Sequence, residues 1–120
     1  MAFVPDFQVV HVGINCADEQ QAIACADRFD TLFGLPMNPN KESADARYTG
    51  TVIEWLKKPG RGTHGHLALA TSDLAAARAY LEEKGFHFDD SSAKYYPDGR
   101  TMVIYAREEI GGFAIHLLQK

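Results

Sequence analysis

The chain is poor in cysteine, in long apolar runs and in positive charge, and each shortage removes a class of function. Its 120 residues hold two cysteines, Cys16 and Cys25, without Cys-x-x-Cys spacing. A disulfide framework is not expected, and free buried thiols are the simplest state. At 46% hydrophobic content the chain is long enough to bury a core without such staples. No apolar run approaches the roughly 20 residues needed to cross a bilayer, so no membrane partner is expected. The start, Met1-Ala-Phe-Val-Pro-Asp6, has neither a basic n-region nor an apolar h-region, and a cytoplasmic location follows as the expectation. Sixteen acidic residues against 12 basic ones give a net charge of −4. Nucleic acid, which needs a basic face, is not an expected partner.

What the chain does contain is a repetition. His11-Val-Gly-Ile-Asn-Cys-Ala-Asp18 and His66-Leu-Ala-Leu-Ala-Thr-Ser-Asp73 each open on a histidine, run through a period-2 apolar stretch and end on an aspartate. A second phrase recurs as Gly50-Thr-Val-Ile-Glu54-Trp-Leu56 and Gly112-Phe-Ala-Ile-His116-Leu-Leu118. In both, a metal-competent side chain follows the glycine at the same spacing. Two copies of one unit, each with a potential ligand near its start and its end, imply a duplicated fold with a four-ligand site between the halves.

The elements follow from periodicity. Residues 8–15 alternate so that Val10, Val12 and Ile14 share one face while His11 and Gly13 share the other. Asp18 is a good N-cap, with Gln21 three residues on as in a capping box. Ala22, Ala26, Phe29 and Phe33 then form one helical stripe, which Gly34 and Pro36 end. Met37 to Asp45 reads as a loop, and residues 46–50 and 51–57 as strands. Lys57-Lys-Pro-Gly-Arg-Gly62 is a turn-rich, solvated connector between the copies. In the second copy Asp73 or Ser72 caps a helix carrying Leu74, Ala77 and Leu81, closed by Gly85. Strands follow near 86–88, at 101–107 and at 113–119. Each half reads as strand–helix–strand–strand–strand, and the chain as one domain, 1–120, with modules at about 7–58 and 63–120.

The alternation also sorts the faces. Val10/Val12/Ile14, Ile53/Trp55, Leu67/Leu69 and Ile115/Leu117 can pack against the helices. His11, Glu54, His66 and His116 are left together on the other face of the sheet. An ionised Glu54 on a covered face needs a partner, and a divalent cation supplies one. The plainer alternative pairs Glu54 with Lys58 or Arg107. Three neutral imidazoles and one carboxylate leave a divalent ion with a charge of about +1, a centre suited to an anionic or enediolate-forming ligand and to Lewis-acid chemistry. Mixed N/O ligation admits Zn, Ni, Co, Mn or Fe.

These phrases resemble the vicinal oxygen chelate superfamily, which groups glyoxalase I, bleomycin-resistance proteins, extradiol dioxygenases and methylmalonyl-CoA epimerase. The resemblance covers essentially the whole chain. It implies an α+β fold of two βαβββ modules that form a curved mixed sheet with helices on its outer face. Its first-strand ligand falls on His11, its fourth-strand ligand on Glu54, its fifth-strand ligand on His66 and its eighth-strand ligand on His116. Glyoxalase I and the dioxygenases usually carry a carboxylate at that last position. Here His116 replaces it, and Glu54 is the only carboxylate among the candidate ligands and hence the candidate catalytic group. Longer stretches, such as Gly-Arg-Gly-Thr-His-Gly-His66 and Glu-Glu-Ile-Gly-Gly-Phe-Ala-Ile-His-Leu-Leu-Gln-Lys120, are similar to a domain appended to certain bacterial 2-keto-3-deoxy-6-phosphogluconate aldolases. The chain has no room for the aldolase barrel, so aldolase activity is not implied.

The expected function is metal-assisted isomerase, epimerase or lyase chemistry on a small anionic 2-oxo or 2-hydroxy acid. A non-catalytic metal or metabolite-binding module accompanying a sugar-acid aldolase is the alternative, and sequestration of an apolar drug is a third. His64, Tyr105 and Arg107 are candidate substrate contacts, Arg107 through a bidentate contact to a carboxylate or phosphate. A surface ion pair of Arg107 with Glu108 or Glu109 is equally open. Exposed sheet edges in a duplicated half-barrel point to a homodimer, with each site more readily built within one chain across the short connector.

Overall fold

Two strand–helix units laid edge to edge give the protein its shape. The computed structural model describes residues 3–120, so Met1 and Ala2 of the leader reading and of the domain bounds lie outside the described residues. The first unit holds β1 (Gln8–Asn15), α1 (Glu19–Phe33), a 3₁₀ turn (Pro39–Lys41), β2 (Ala46–Thr49) and β3 (Ile53–Leu56). The second holds β4 (Gly65–Thr71), α2 (Leu74–Glu83), β5 (Phe88–Tyr95), β6 (Thr101–Ile110) and β7 (Phe113–Gln119). They form one seven-stranded mixed sheet in the order β2-β3-β1-β4-β7-β6-β5. Its centre is the antiparallel pair β1–β4, flanked by β3 parallel to β1 and by β7 parallel to β4. This is the glyoxalase-like architecture, with one strand fewer than two full βαβββ modules.

The missing strand has a local cause. After α1 the chain makes only one bridge, Met37 to Thr49, where the second unit makes all of β5. Pro36 and Pro39 flank that bridge and carry no N–H for a ladder. Thr51 and Val52, expected in a strand, form the turn that enters β3, whereas β5 and β6 run longer than their sequence signals.

Both helices begin as their caps direct. The Asp18 carboxylate accepts from the Gln21 N–H at 2.8 Å, and the Gln21 side chain accepts from the Ala17 N–H at 2.6 Å, one residue before the cap. Asp73, not Ser72, caps α2 through the Ala76 N–H at 3.1 Å. Gly34 ends α1 at φ 65°, a left-handed position that favours glycine.

Each helix covers its own half of one sheet face. Around α1, Ala22 and Ala26 pack with Cys16 and Trp55, edged by Ile14, Cys25, Phe29 and Ile53. Around α2, Leu74 and Ala77 pack with Phe88, Ile104, Ala106, Ile115 and Leu117. Two expectations change. Phe33, the last residue of α1, ends the helical stripe in solvent, 63% exposed, with its ring against Phe29. A bulge between Val9 and His11 shifts the register by one, so Val9, rather than Val10, lies with Leu67 and Leu69 over the apolar face. Among the described residues no helix is long and apolar enough to cross a membrane.

Phe88 is 1% exposed and the largest fully buried side chain. Phe88→Ala should lower the unfolding free energy by about 3–5 kcal/mol in urea titrations. Phe33→Ala should change it by no more than about 0.5 kcal/mol. Equal losses at the two positions would contradict this division between core and surface.

Candidate metal and substrate site

Opposite the helices, the register of the four central strands assembles one polar cluster. Gly13 on β1 is aligned with Glu54 on β3 and with His66 on β4. Ala68 on β4 is aligned with His11 on β1 and His116 on β7. The two rows are pseudo-equivalent, each carrying two donors about one small residue. Smallness matters here: a Cβ at Gly13 would overlap the His66 imidazole. Tyrosines extend both rows outward, Tyr48 aligned with Glu54 and Tyr105 with His116.

The four side chains converge within a single chain. His66 Nε2 lies 3.0 Å from Glu54 Oε1 and 3.2 Å from His11 Nε2, and His11 Nε2 lies 3.7 Å from Glu54 Oε1. One nitrogen from each of His11, His66 and His116 falls within 4.8 Å of the other two. Ligands about 2.0–2.1 Å from a tetrahedral ion stand about 3.3 Å apart, close to the spacing among His11, Glu54 and His66, whereas His116 is grouped with the other two histidines alone. His66 and His116 are each 5% exposed, and His116 Nδ1 is buried with no hydrogen-bond partner. Such orphaned nitrogens are rare in folded proteins. Three inward-facing imidazoles with a carboxylate among them therefore fit a divalent cation.

Burial and mutual repulsion keep His11 and His116 poor in protons. Desolvation lowers His11, with further lowering from His66 and Lys41 against the pull of Glu54. Desolvation, then His66 and His11, brings His116 down to about 3. Burial works to raise the Glu54 carboxyl, but the hydrogen bond and charge of His66, the Tyr48 hydroxyl and His11 outweigh it and hold Glu54 below 4.5. At neutral pH His11 and His116 thus offer neutral imidazoles and Glu54 an ionised carboxylate, the protonation states that metal ligation requires. Burial and the Glu54 charge raise both Tyr48 and Tyr105, which remain phenols.

A cavity of about 310 Å³ opens over the cluster, lined by the four donors, Tyr48, Tyr105, Ser92, Lys94 and the apolar Leu56, Val103 and Leu118. Of the three expected substrate contacts only Tyr105 lines it. His64 packs instead on Gly112 and Phe113 beside the β6–β7 turn. The Arg107 Nε donates to the Phe88 carbonyl at 3.0 Å, because a register shift beyond Tyr105 takes it off the cavity face. Glu54 pairs with neither Lys58 nor Arg107. The connector is also less free than its sequence reads: Lys57 is buried, with Nζ 2.6 Å from Glu42 Oε1, and Asn15 binds the backbone of Gly60 and Gly62.

Sequence reasoning missed Gly13, Tyr48, Ser92 and Lys94. The small third residue of His11-Val-Gly13 and of His66-Leu-Ala68 was a readable signal for the first. Tyr48 had no such signal, since its spacing to Glu54 differs from that of Tyr105 to His116. Ser92 and Lys94 lie beside a bulge in β5, between Asp89 and Tyr95, that no period reveals.

Neither a family model nor a curated protein sequence matches the chain. Solved structures do match in fold. Methylmalonyl-CoA epimerase from Mycobacterium tuberculosis superimposes with a TM-score of 0.59 at 20% identity, covering 92% of this chain and 86% of that one. A Streptomyces coelicolor methylmalonyl-CoA epimerase variant in complex with 2-nitronate-propionyl-CoA gives 0.57 at 18% identity, over 94% and 96%. A methylmalonyl-CoA epimerase in complex with methylmalonyl-CoA and NH4+ gives 0.56 at 18%, over 94% of each chain. At such identity the likeness is one of fold.

The lowered imidazoles set a pH dependence. His11 and His116 bind protons less well folded than unfolded, so their contribution is present above the ordinary value of 6.5 and lost as pH falls toward the folded values. Glu54 adds a loss in the same direction below 4.5. For metal-free protein the urea midpoint should be level above about pH 7 and fall steadily from about pH 6 to pH 4. A midpoint unchanged across that window would contradict the buried, neutral cluster.

Proposed function

We propose that the protein holds a divalent metal ion (Zn, Ni, Co, Mn or Fe) on His11, Glu54, His66 and His116, and catalyses isomerase, epimerase or lyase chemistry on a small anionic 2-oxo or 2-hydroxy acid. The observation that carries this reading is the grouping of the His11, His66 and His116 imidazoles beneath an open cavity, with the Glu54 carboxylate 3.0 Å from His66. When bound, the ion supplies Lewis-acid polarisation of a substrate oxygen. The neighbouring epimerase structures, two of them with acyl-CoA ligands, lend fold-level support to proton chemistry beside a carbonyl. The stretches similar to an aldolase-appended domain favour sugar-acid metabolites as the place to search for the substrate.

The chain's own groups divide the remaining work. Glu54 is the only carboxylate lining the cavity, and its ionised state suits it to take a proton from a carbon made acidic by its carbonyl. Tyr48, aligned with Glu54 across β2 and β3, stands beside the carboxylate and helps keep it ionised. Tyr105 stands on the opposite wall with its ring 4.9 Å from that of His116, and narrows the space above the donors. The apolar Leu56, Val103 and Leu118 exclude water from the reacting face. Sequestration of an apolar drug is disfavoured by this polar floor.

Assembly is part of the proposal. Phe7, Val9 and Ile110 are 38%, 56% and 58% exposed beside an apolar groove, and a homodimer with each site built from one chain would cover such surface. Sedimentation at micromolar concentration should give about twice the 13.3 kDa mass of the chain. A stable monomer would rule the dimer out.

Metal-loaded protein incubated in D₂O with a panel of 2-oxo and 2-hydroxy acids should exchange an α-proton of one of them, seen by NMR. Glu54→Gln should slow that exchange by at least about 100-fold. His66→Ala should abolish stoichiometric metal uptake while leaving the far-ultraviolet CD spectrum unchanged. Metal uptake without exchange on any acid would leave a binding module rather than an enzyme. Undiminished uptake by His66→Ala would remove the metal assignment.

A further inference from the structure

The cavity mouth gathers positive charge in a chain whose net charge is −4. Lys94 lines the cavity from β5, directly across from Val103. Val103 is two residues from Tyr105 on the same face of β6, which places Lys94 about 7 Å along the sheet from the His116–Tyr105 row. On the opposite wall the Lys41 ammonium sits 4.9 Å above the Tyr48 ring, near enough for its charge to lower His11. Arg61 sits 5.0 Å above the Tyr105 ring. These cations are not alike. Arg61 is bound to Asp89 at 2.9 Å, and its charge is thereby spent. Neither Lys41 nor Lys94 has a carboxylate within salt-bridge distance among the described residues.

The walls between these lysines and the donors are apolar or aromatic, so a ligand anchored on the donors reaches cationic groups only at its far end. Lys94 is exposed at the rim it lines and has no carboxylate partner, so its charge is free to meet an anion that enters the cavity. A second anionic group on the ligand supplies that partner. We infer that the site is built for a small dianionic acid, one end of which meets the donor cluster while a second carboxylate or phosphate, a short chain away, is held by Lys94 and faced by Lys41. Lys94 is the specificity-determining contact, because it lines the cavity itself, whereas Lys41 acts from above Tyr48. The inference rests on the metal reading of the donor cluster and adds to it the charge and length of the substrate.

Calorimetry tests it in three steps. Zn²⁺ or Ni²⁺ alone is titrated first into metal-free protein, and uptake of one ion per chain is expected. The loaded protein is then titrated with two five-carbon 2-oxo acids, monoanionic 2-oxovalerate and dianionic 2-oxoglutarate, and with glycerate against 3-phosphoglycerate. At least one acid with a second anionic group should bind about fivefold more tightly than its monoanionic partner at low salt, and the pair that shows it identifies carboxylate or phosphate as that group. The preference should shrink in 0.5 M KCl. Lys94→Met should bring the ratio to about one with monoanion affinity and metal stoichiometry unchanged, whereas Lys58→Met, which removes an exposed charge from the connector, should leave it intact. No stoichiometric metal uptake overturns the metal reading and this inference with it. One ion per chain with no dianion preference, or a preference that survives Lys94→Met, overturns this inference alone.

Discussion

The structure depends on the antiparallel pairing of β1 with β4, and on how small the residues along that seam are. Gly65 runs so close to the Gly13 carbonyl that no side chain could stand there. Gly13 and Ala68 lie between the donors in their two rows, so the strands bring four polar groups to one point without filling the space between them. Everything outward follows from this seam. β3 and β7 pair with the two central strands in parallel, which requires a crossover on each side, and the crossovers are α1 and α2. Each helix therefore lands on the sheet face away from the donors. The core and the site are the two sides of the same strands.

That two-sidedness is why much of the fold was legible. A period of two assigns every strand residue to a face, and the apolar runs Ile53/Trp55, Leu67/Leu69 and Ile115/Leu117 left the donors nowhere else to go. The caps at Asp18 and Asp73 were equally plain, because they rest on local hydrogen bonds that a short segment specifies by itself. Illegible features lay where register slips. The bulge at Val9–His11 exchanges Val9 for Val10, the shift beyond Tyr105 removes Arg107 from the cavity, and the bulge in β5 carries Ser92 and Lys94 into it. A bulge is a decision between two strands, and one strand's sequence does not contain it. His64 failed for a related reason: it precedes β4, and the hole above Gly112 fixes its ring rather than any strand alternation.

Electrostatically the site sets burial against attraction, with different outcomes for different groups. For His116 burial dominates and the imidazole gives up its proton far below the usual range. For Glu54 the same burial is outweighed by three hydrogen-bonding or charged neighbours, and the carboxyl stays ionised. An ionised carboxylate in a partly dry cavity is costly to leave uncompensated.

The single carboxylate also bears on which reaction such a site can perform. A base that removes a proton from one face of a carbon can return it to that face, or to a neighbouring atom on the same side, with no second group. That suffices for isomerisation by proton shift and for elimination. Inverting a stereocentre requires delivery to the opposite face, and Glu54 cannot reach both. Tyr48 lies in the same row as Glu54, on its side of the cavity, and Ser92 donates to the Asp89 carbonyl at 2.6 Å. Tyr105 remains, on the opposite wall, kept protonated by burial and by the Glu54 charge. An epimerase in this cavity would therefore take its proton with Glu54 and return one from Tyr105. An isomerase or lyase would need Tyr105 only as a wall.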